Sequence, residues 1–241
     1  MPRLLPSAAG FWFAFAGAAM AQEISISLGD GASLTERAVQ LALIVTALSL
    51  LPGLVIMITC FPFLVTVLSI LRQGIGLQSA PPNMLIVSLA MFLTFYIMEP
   101  VLLEAWETGI SPFFDGTLPV EEALPAALGP FRVFMETRVD PDTYAALADL
   151  RPAPALAPGA PLPLATLVPS FLLSEIERAF QVGFLIFLPF LIIDLVVAAV
   201  LMSMGMMMVP PTVVALPFKL AFFVVADGWT LVAGALVESY R

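Results

Sequence analysis

DLVVAAVLMSMGMMMVPPTVVALPFK, Asp194–Lys219, carries charge only at its two ends. As one regular helix it would reach across a hydrocarbon core of roughly 30 Å. Pro210 and Pro211 prevent that, because they remove two backbone donors and push Val209 out of helical geometry. Gly205 loosens the turn before them. Met202, Met204, Met206, Met207 and Met208 surround the break. Broken backbone at membrane depth survives only where protein buries it or where it lines a cavity. Methionine is unbranched and polarizable, so a cluster of it can repack around changing shapes. The segment therefore predicts a deformable constriction, with Gly205, Pro210 and Pro211 as helix breaks. The plainer alternative is lipid-facing or packed filler, which has no need of a break at this point.

Outward from this segment, charge is scarce. The 241 residues are 61% hydrophobic and 11% charged, against about 25% charged in soluble domains, and the mean hydropathy is +1.04. The class is an all-α integral membrane protein built of proline-broken hydrophobic helices and hairpins. Eighteen acidic against nine basic residues argue against a nucleic-acid surface. The absence of histidine excludes a His metal site, a Ser-His triad and an imidazole switch. Cys60 is the single cysteine, which excludes an intrachain disulfide, and its apolar surroundings predict a buried, inert thiol. Gly74-Ile75-Gly76 follows no strand and predicts no nucleotide loop. No catalytic residues, cofactor or metal are expected, and the chain does not read as an enzyme.

Four charges interrupt apolar sequence: Glu175, Asp194, Lys219 and Asp227. Such residues face protein or water and pair, because an isolated charge in hydrocarbon costs several kcal/mol. Lys219 is the only cation between Arg178 and Arg241, so Asp194 and Glu175 are its natural partners. A proton relay of Glu175, Asp194 and Asp227 and an aspartyl dyad of Asp194 with Asp227 are the functional alternatives. One lysine among acids favours neutralisation.

Along the chain, residues 1–21 have the pattern of a signal peptide. Arg3 opens it, an apolar stretch follows, and Ala19-Met20-Ala21 places cleavage between Ala21 and Gln22. Residues 22–40 form a polar extracytoplasmic arm. Residues 41–71 form an apolar helical segment interrupted at Pro52-Gly53 and Pro62, and 72–83 a short loop. An apolar helix spans 84–98 and ends at Pro100. An acidic extracytoplasmic region covers 99–167, with Phe131–Leu150 as its best helix and the Pro-rich Arg151–Leu164 as a loop. A further apolar helical segment covers 168–201, with Pro189 inside it. The Met-rich loop occupies 202–211, and 212–237 is the last apolar segment, interrupted at Pro217, Lys219 and Asp227-Gly228. Arg72 marks the first short loop as cytoplasmic. The abundance of proline predicts helices sheltered by partner subunits, some of which need not cross the bilayer.

LSILRQ (68–73), PPN (81–83) and LAMFLTF (89–95) resemble the first half of the FliP family of flagellar export-gate proteins. The second half is more specific: VPSF (168–171), Ser174-Glu175, AFQ (179–181), PFLIIDL (189–195), GMMMVPP (205–211), ALPFK (215–219) and DGW (227–229). The resemblance implies a core subunit of the type III export apparatus in the bacterial inner membrane and flagellar basal body, with a large part on the periplasmic side. It implies a helical, conical homo-oligomer of about five copies, assembled with FliQ and FliR and served by FlhB and FlhA. Unfolded flagellar subunits would pass through its channel. The pore gasket would fall on Met206, Met207 and Met208, with Met204 beside them, and the buried ion pairing on Glu175, Asp194 and Lys219.

This sequence departs from that pattern at Thr59-Cys60-Phe61-Pro62-Phe63, where the family has an arginine at the position of Phe63. A network using that arginine must be rewired here. The Pro-rich stretch is longer than the family's, and Phe131–Leu150 matches only loosely. The injectisome homologue SctR has serine at the position of Pro210 and typically no cleaved signal peptide, so Pro210 and Ala19-Met20-Ala21 favour the flagellar branch. An ion-coupled secondary transporter is the reading from a different class. It would predict an internal inverted repeat, and none is evident between the two halves.

Overall fold

A computed structural model describes residues 34–77, 81–150, 161–206 and 208–240. The signal-peptide segment with its Ala21–Gln22 cleavage site, the Pro-rich residues 151–160 and Met207 lie outside the described residues. The chain divides into two units, Met1–Ser49 and Leu50–Arg241. In the first unit the described residues open helix α1, Leu34–Met57, which continues into the second. Thr46 Oγ1 and Ser49 Oγ return hydrogen bonds to the α1 carbonyls of Ala42 and Thr46, both at 2.7 Å.

All regular structure among the described residues is helical. In the second unit α2 (Phe61–Ile75) is the centre of the core. Cys60, Leu64, Val67, Leu68, Leu71 and Ile75 recur at helical spacing and are all buried. Against α2 pack α3 (Asn83–Ala105), the forty-residue α7 (Leu164–Ser203) and the start of the α8 region (Pro211–Val225). A π-helical turn at Trp106–Ile110 and the short α4 (Ser111–Phe114) prolong α3. Helices α5 (Val120–Arg138) and α6 (Pro141–Asp149) then return, and α9 (Gly228–Glu238) closes the fold. Asn83–Phe114 and Leu164–Ser203 are long and apolar enough to cross a membrane. The pair α8 and α9, bent by 62°, makes up to a third span if taken together.

Proline has two roles here. Pro62 and Pro211 sit at helix starts, where the missing N–H is no loss. Pro100, Pro189 and Pro217 lie inside continuous helices, although the sequence reads them as interruptions. One lost backbone bond inside a long helix is tolerated when neighbouring helices pack around it. The expected break at Pro52-Gly53 likewise lies within α1. The actual break is Ile58-Thr59-Cys60, where Thr59 Oγ1 bonds Ile56 O and accepts from Phe61 N–H. The expected helix 131–150 is divided between α5 and α6, because Asp140 turns extended and caps α6. Its carboxylate accepts from the amide and hydroxyl of Thr143, both at 2.8 Å, and those bonds hold it below the usual carboxylate range. Burial pushes the Cys60 thiol up to about 12, so it stays protonated.

The π-helical turn meets α5 backbone to backbone. A Cβ on Gly109 would lie 2.5 Å from the amide nitrogen of Ala127 and 2.6 Å from the carbonyl oxygen of Ala123. Gly109→Ala should therefore cost about 1–3 kcal/mol through forced separation of the two segments. Gly129→Ala, on α5 with nothing within 4 Å of its Cβ, should be neutral or stabilising by up to about 1 kcal/mol. Thermal unfolding of the detergent-purified protein gives both signs, and equal effects of the two substitutions would contradict the close contact.

Candidate functional site

Helix α7 ends in a hydrogen-bonded cap at its Met-rich terminus. Gly205 has φ 75°, in the left-handed region. Its N–H donates to Met202 O at 3.0 Å, and Met206 N–H donates to Leu201 O at 2.9 Å. This pair of bonds is the Schellman arrangement, which satisfies carbonyls at the helix end and favours glycine for its left-handed residue. Gly205 thus ends the helix with a defined turn, where the sequence predicts only a loosening. Pro210 is extended, and Pro211 opens α8 as its first residue. The expected helix breaks at Gly205, Pro210 and Pro211 therefore form the two edges of one tight connection. Met202, Met204, Met206 and Met208 are exposed, and Met208 is 97% so. The backbone is held at the two edges, and the described methionine side chains are exposed.

Below this turn, α8 is tied to α7 by Lys219. Its ammonium lies 2.6 Å from Asp194 Oδ2 and donates to Gly74 O at 3.1 Å. Lys219 is 5% exposed, so the carboxylate and the α2 carbonyl supply its charge and hydrogen-bond partners together. Gly74 stands in the last turn of α2, where a cation also opposes the negative end of the helix dipole. One lysine thereby joins three helices.

The structure separates Glu175 from that pair. Glu175 is fully buried, and Arg138 Nε approaches Oε1 at 3.2 Å and Arg178 at 3.6 Å. Tyr240 Oη donates to Oε2. Arg138 also donates to Ser239 O at 2.9 Å and stacks 4.0 Å above the Tyr240 ring. Burial, then the Glu175 carboxylate, pushes the Tyr240 phenol far above its ordinary range, so it remains a donor. Phe63 is buried edge-on against Tyr240 at 5.5 Å. Where the resemblance expects arginine, this chain has an apolar wall, and Arg138 and Arg178 supply the positive charge instead.

Arg138 and Tyr240 are absent from the sequence-derived site. Arg138 is the last residue of α5, and its approach to Glu175 spans 37 positions, beyond any local pattern. Tyr240 stands next to the final residue, where no periodicity marks it. Asp227 is exposed, with φ 50°, at the turn between α8 and α9. Its carboxylate accepts from Thr230 Oγ1 at 3.1 Å. Its described partner is thus Thr230, whereas that of Asp194 is Lys219. No group of three or more His, Cys, Asp or Glu able to hold a metal occurs among the described residues.

Residues 44–236 match the FliP family model. The chain is 52% identical over 225 residues to a flagellar biosynthetic protein FliP of Caulobacter vibrioides, covering 93% of this chain and 85% of that protein. It is 45% identical to the protein of the same name from Agrobacterium fabrum, covering 82% of each. The Bacillus subtilis protein of that name is 43% identical over 84% of this chain and 91% of its own length.

Two substitutions test the charge nodes. Lys219→Met should destabilise by about 1–3 kcal/mol, less than breaking a fully buried pair, because 26% of the Asp194 side chain stays exposed. Adding Asp194→Leu should recover most of that loss, since no unpaired carboxylate remains. A double variant as unstable as the single one in thermal unfolding would show that the pair is not the origin. Tyr240→Phe leaves Glu175 Oε2 without its phenolic donor and should cost about 1–3 kcal/mol. An unchanged unfolding midpoint would remove that hydroxyl from the network.

Proposed function

Because the chain belongs to the FliP family of flagellar biosynthetic proteins, we propose that it is a pore-forming core subunit of the flagellar type III export gate. The observation that carries this reading is the α7–α8 turn, whose described methionines are exposed on a backbone fixed by a Schellman cap and two prolines. Copies of this turn around one axis would direct Met204, Met206, Met207 and Met208 into a lumen. A homo-oligomer of about five copies would have that symmetry, with FliQ and FliR completing the core and FlhB and FlhA beside it. The gasket would close on an unfolded flagellar subunit by apolar contact, and methionine's flexibility would follow changing side chains.

The length of α7 supports a position partly outside the bilayer. Forty residues of regular helix measure about 60 Å, twice the hydrocarbon thickness. Its first half carries Ser170, Ser174, Glu175, Glu177 and Arg178, which suits an aqueous or protein-sheltered setting on the periplasmic side. The role is structural, with energy supplied by partner proteins and the proton-motive force. Pairing of Asp194 with Lys219 favours a neutralised joint over the proton carrier that a secondary transporter would require.

Changing Met206, Met207 and Met208 together to alanine should raise ion leakage while the native mass of the complex with FliQ and FliR is unchanged. Reconstitution in vesicles with a potential-sensitive dye measures the leak. Equal leakage from fully assembled variant and parent complexes would refute the gasket. Proton-coupled transport by the isolated chain, abolished by Asp194→Asn, would instead favour the transporter.

A further inference from the structure

The candidate span Asn83–Phe114 has 32 residues, about 48 Å of helix against a hydrocarbon core of roughly 30 Å. Its far end folds into a knuckle whose outer surface is aromatic. Trp106, Phe113 and Phe114 are 52%, 44% and 73% exposed, with Phe113 and Phe114 edge to face at 5.7 Å. The backbone beneath them is fixed. Asp115, Gly116, Thr117 and Leu118 N–H groups all return to α4 carbonyls, and Thr117 Oγ1 donates to Pro112 O at 2.9 Å. Thr108 Oγ1 bonds Glu104 O at 2.8 Å and Ala126 O at 3.3 Å, adding to the Gly109 contact that clamps the π-helical turn on α5. Between these segments is an apolar cavity of about 160 Å³ lined by Gly109, Ile110, Phe113, Ala123, Leu124 and Ala127, with Val120 at its edge. A cavity of about 150 Å³ holds a benzene-sized group, so this one fits a single large apolar side chain.

The charge around this surface selects its occupant. Glu104, Glu107, Asp115, Glu121 and Glu122 are all exposed, and no Lys or Arg occurs between Arg72 and Arg132. An anionic bilayer surface is repelled by such a rim. A second copy presents the same acidic rim, which disfavours contact between two knuckles. We infer that the knuckle at 104–124 docks a basic amphipathic helix of another protein, outside the hydrocarbon core. One large apolar side chain of that helix enters the Gly109–Ala127 cavity, and its Lys or Arg residues face the five carboxylates. Exposed aromatic side chains around a small apolar pocket are the kind of surface that supplies binding hot spots, and the acidic rim adds orientation and a faster encounter. This docking is independent of the proposed gasket, since no Met-turn residue takes part.

The test uses the full chain in native membranes with Phe114→p-benzoylphenylalanine as a photo-crosslinker and Phe95→p-benzoylphenylalanine, on the exposed face of α3, as the control. The expected product from position 114 is an adduct to one protein segment in which Lys or Arg flank apolar residues at helical spacing, with no such product from position 95. Its yield should fall about tenfold when the five acids are changed to Gln or Asn. If that variant fails to fold, raising sodium chloride from about 0.05 to about 0.5 M should lower the yield of the unaltered acids similarly. Adducts only to lipid, to another copy of this chain or to an uncharged segment would overturn the inference. So would the absence of any adduct, or a yield indifferent to both charge and salt.

Discussion

A fully buried carboxylate is the constraint on which the joining of α5, α7 and the Ser239–Tyr240 segment depends. Glu175 has no exposed surface, and an uncompensated ion there would cost several kcal/mol. Its partners come from distant places: Arg138 at the end of α5, Arg178 one turn along α7, and Tyr240 beside the chain end. Each partner is then held by another group. Arg138 is stacked on Tyr240 and bonded to Ser239 O, while Phe63 and Phe134 flank the Tyr240 ring. Removing water strengthens these bonds and also makes each of them necessary. The need to neutralise one side chain thus ties the end of α5 and the Ser239–Tyr240 segment to α7.

A second joint lies along the same helix. Asp194 follows Glu175 by 19 residues, about 28 Å of helix, and Lys219 fastens it to α8 and the end of α2. From there to Gly205 is another 11 residues, about 16 Å, along which Leu195, Val196, Val200 and Met202 are exposed. Tertiary packing thus fades toward the Met turn, and backbone chemistry maintains its form. Left-handed glycine and the proline pair restrict the chain, whereas the methionine side chains keep their rotamer freedom. The proposed gasket would benefit from that division between a stiff frame and soft contacts.

Much of this was legible in the sequence because it is local. The all-helical apolar class follows from composition, and the Met turn from Gly205, Pro210 and Pro211. The scarcity of cations, by contrast, names Asp194 and Glu175 alike as partners of Lys219, and the fold joins it to Asp194 across 25 positions. Proline was less informative. Pro62 and Pro211 open helices, but Pro189 and Pro217 are carried inside them, and only packing distinguishes the two outcomes. Glu175 shows the limit of charge counting along a chain. Lys219, the only cation between Arg178 and Arg241, was its expected partner, yet the fold brings Arg138 to it across 37 positions. The π-helical turn at Trp106–Ile110 has no composition signal, since it arises from close contact of Gly109 with α5.

Cations are the scarce component throughout. Nine Lys and Arg stand against eighteen acids, and three of the nine, Arg138, Arg178 and Lys219, are placed against Glu175 and Asp194. That placement follows from where an unpaired charge costs most: a buried carboxylate needs a partner, whereas an exposed one is solvated by water. The consequence is that acids at the surface go without cations, most of all at the knuckle beyond α3, where five face solvent with no base in that stretch of chain. The negative surface is therefore coupled to the chemistry of the interior. Removing a cation from the interior would strand a buried carboxylate, so the interior pairing cannot be given up to neutralise the surface without loss of stability.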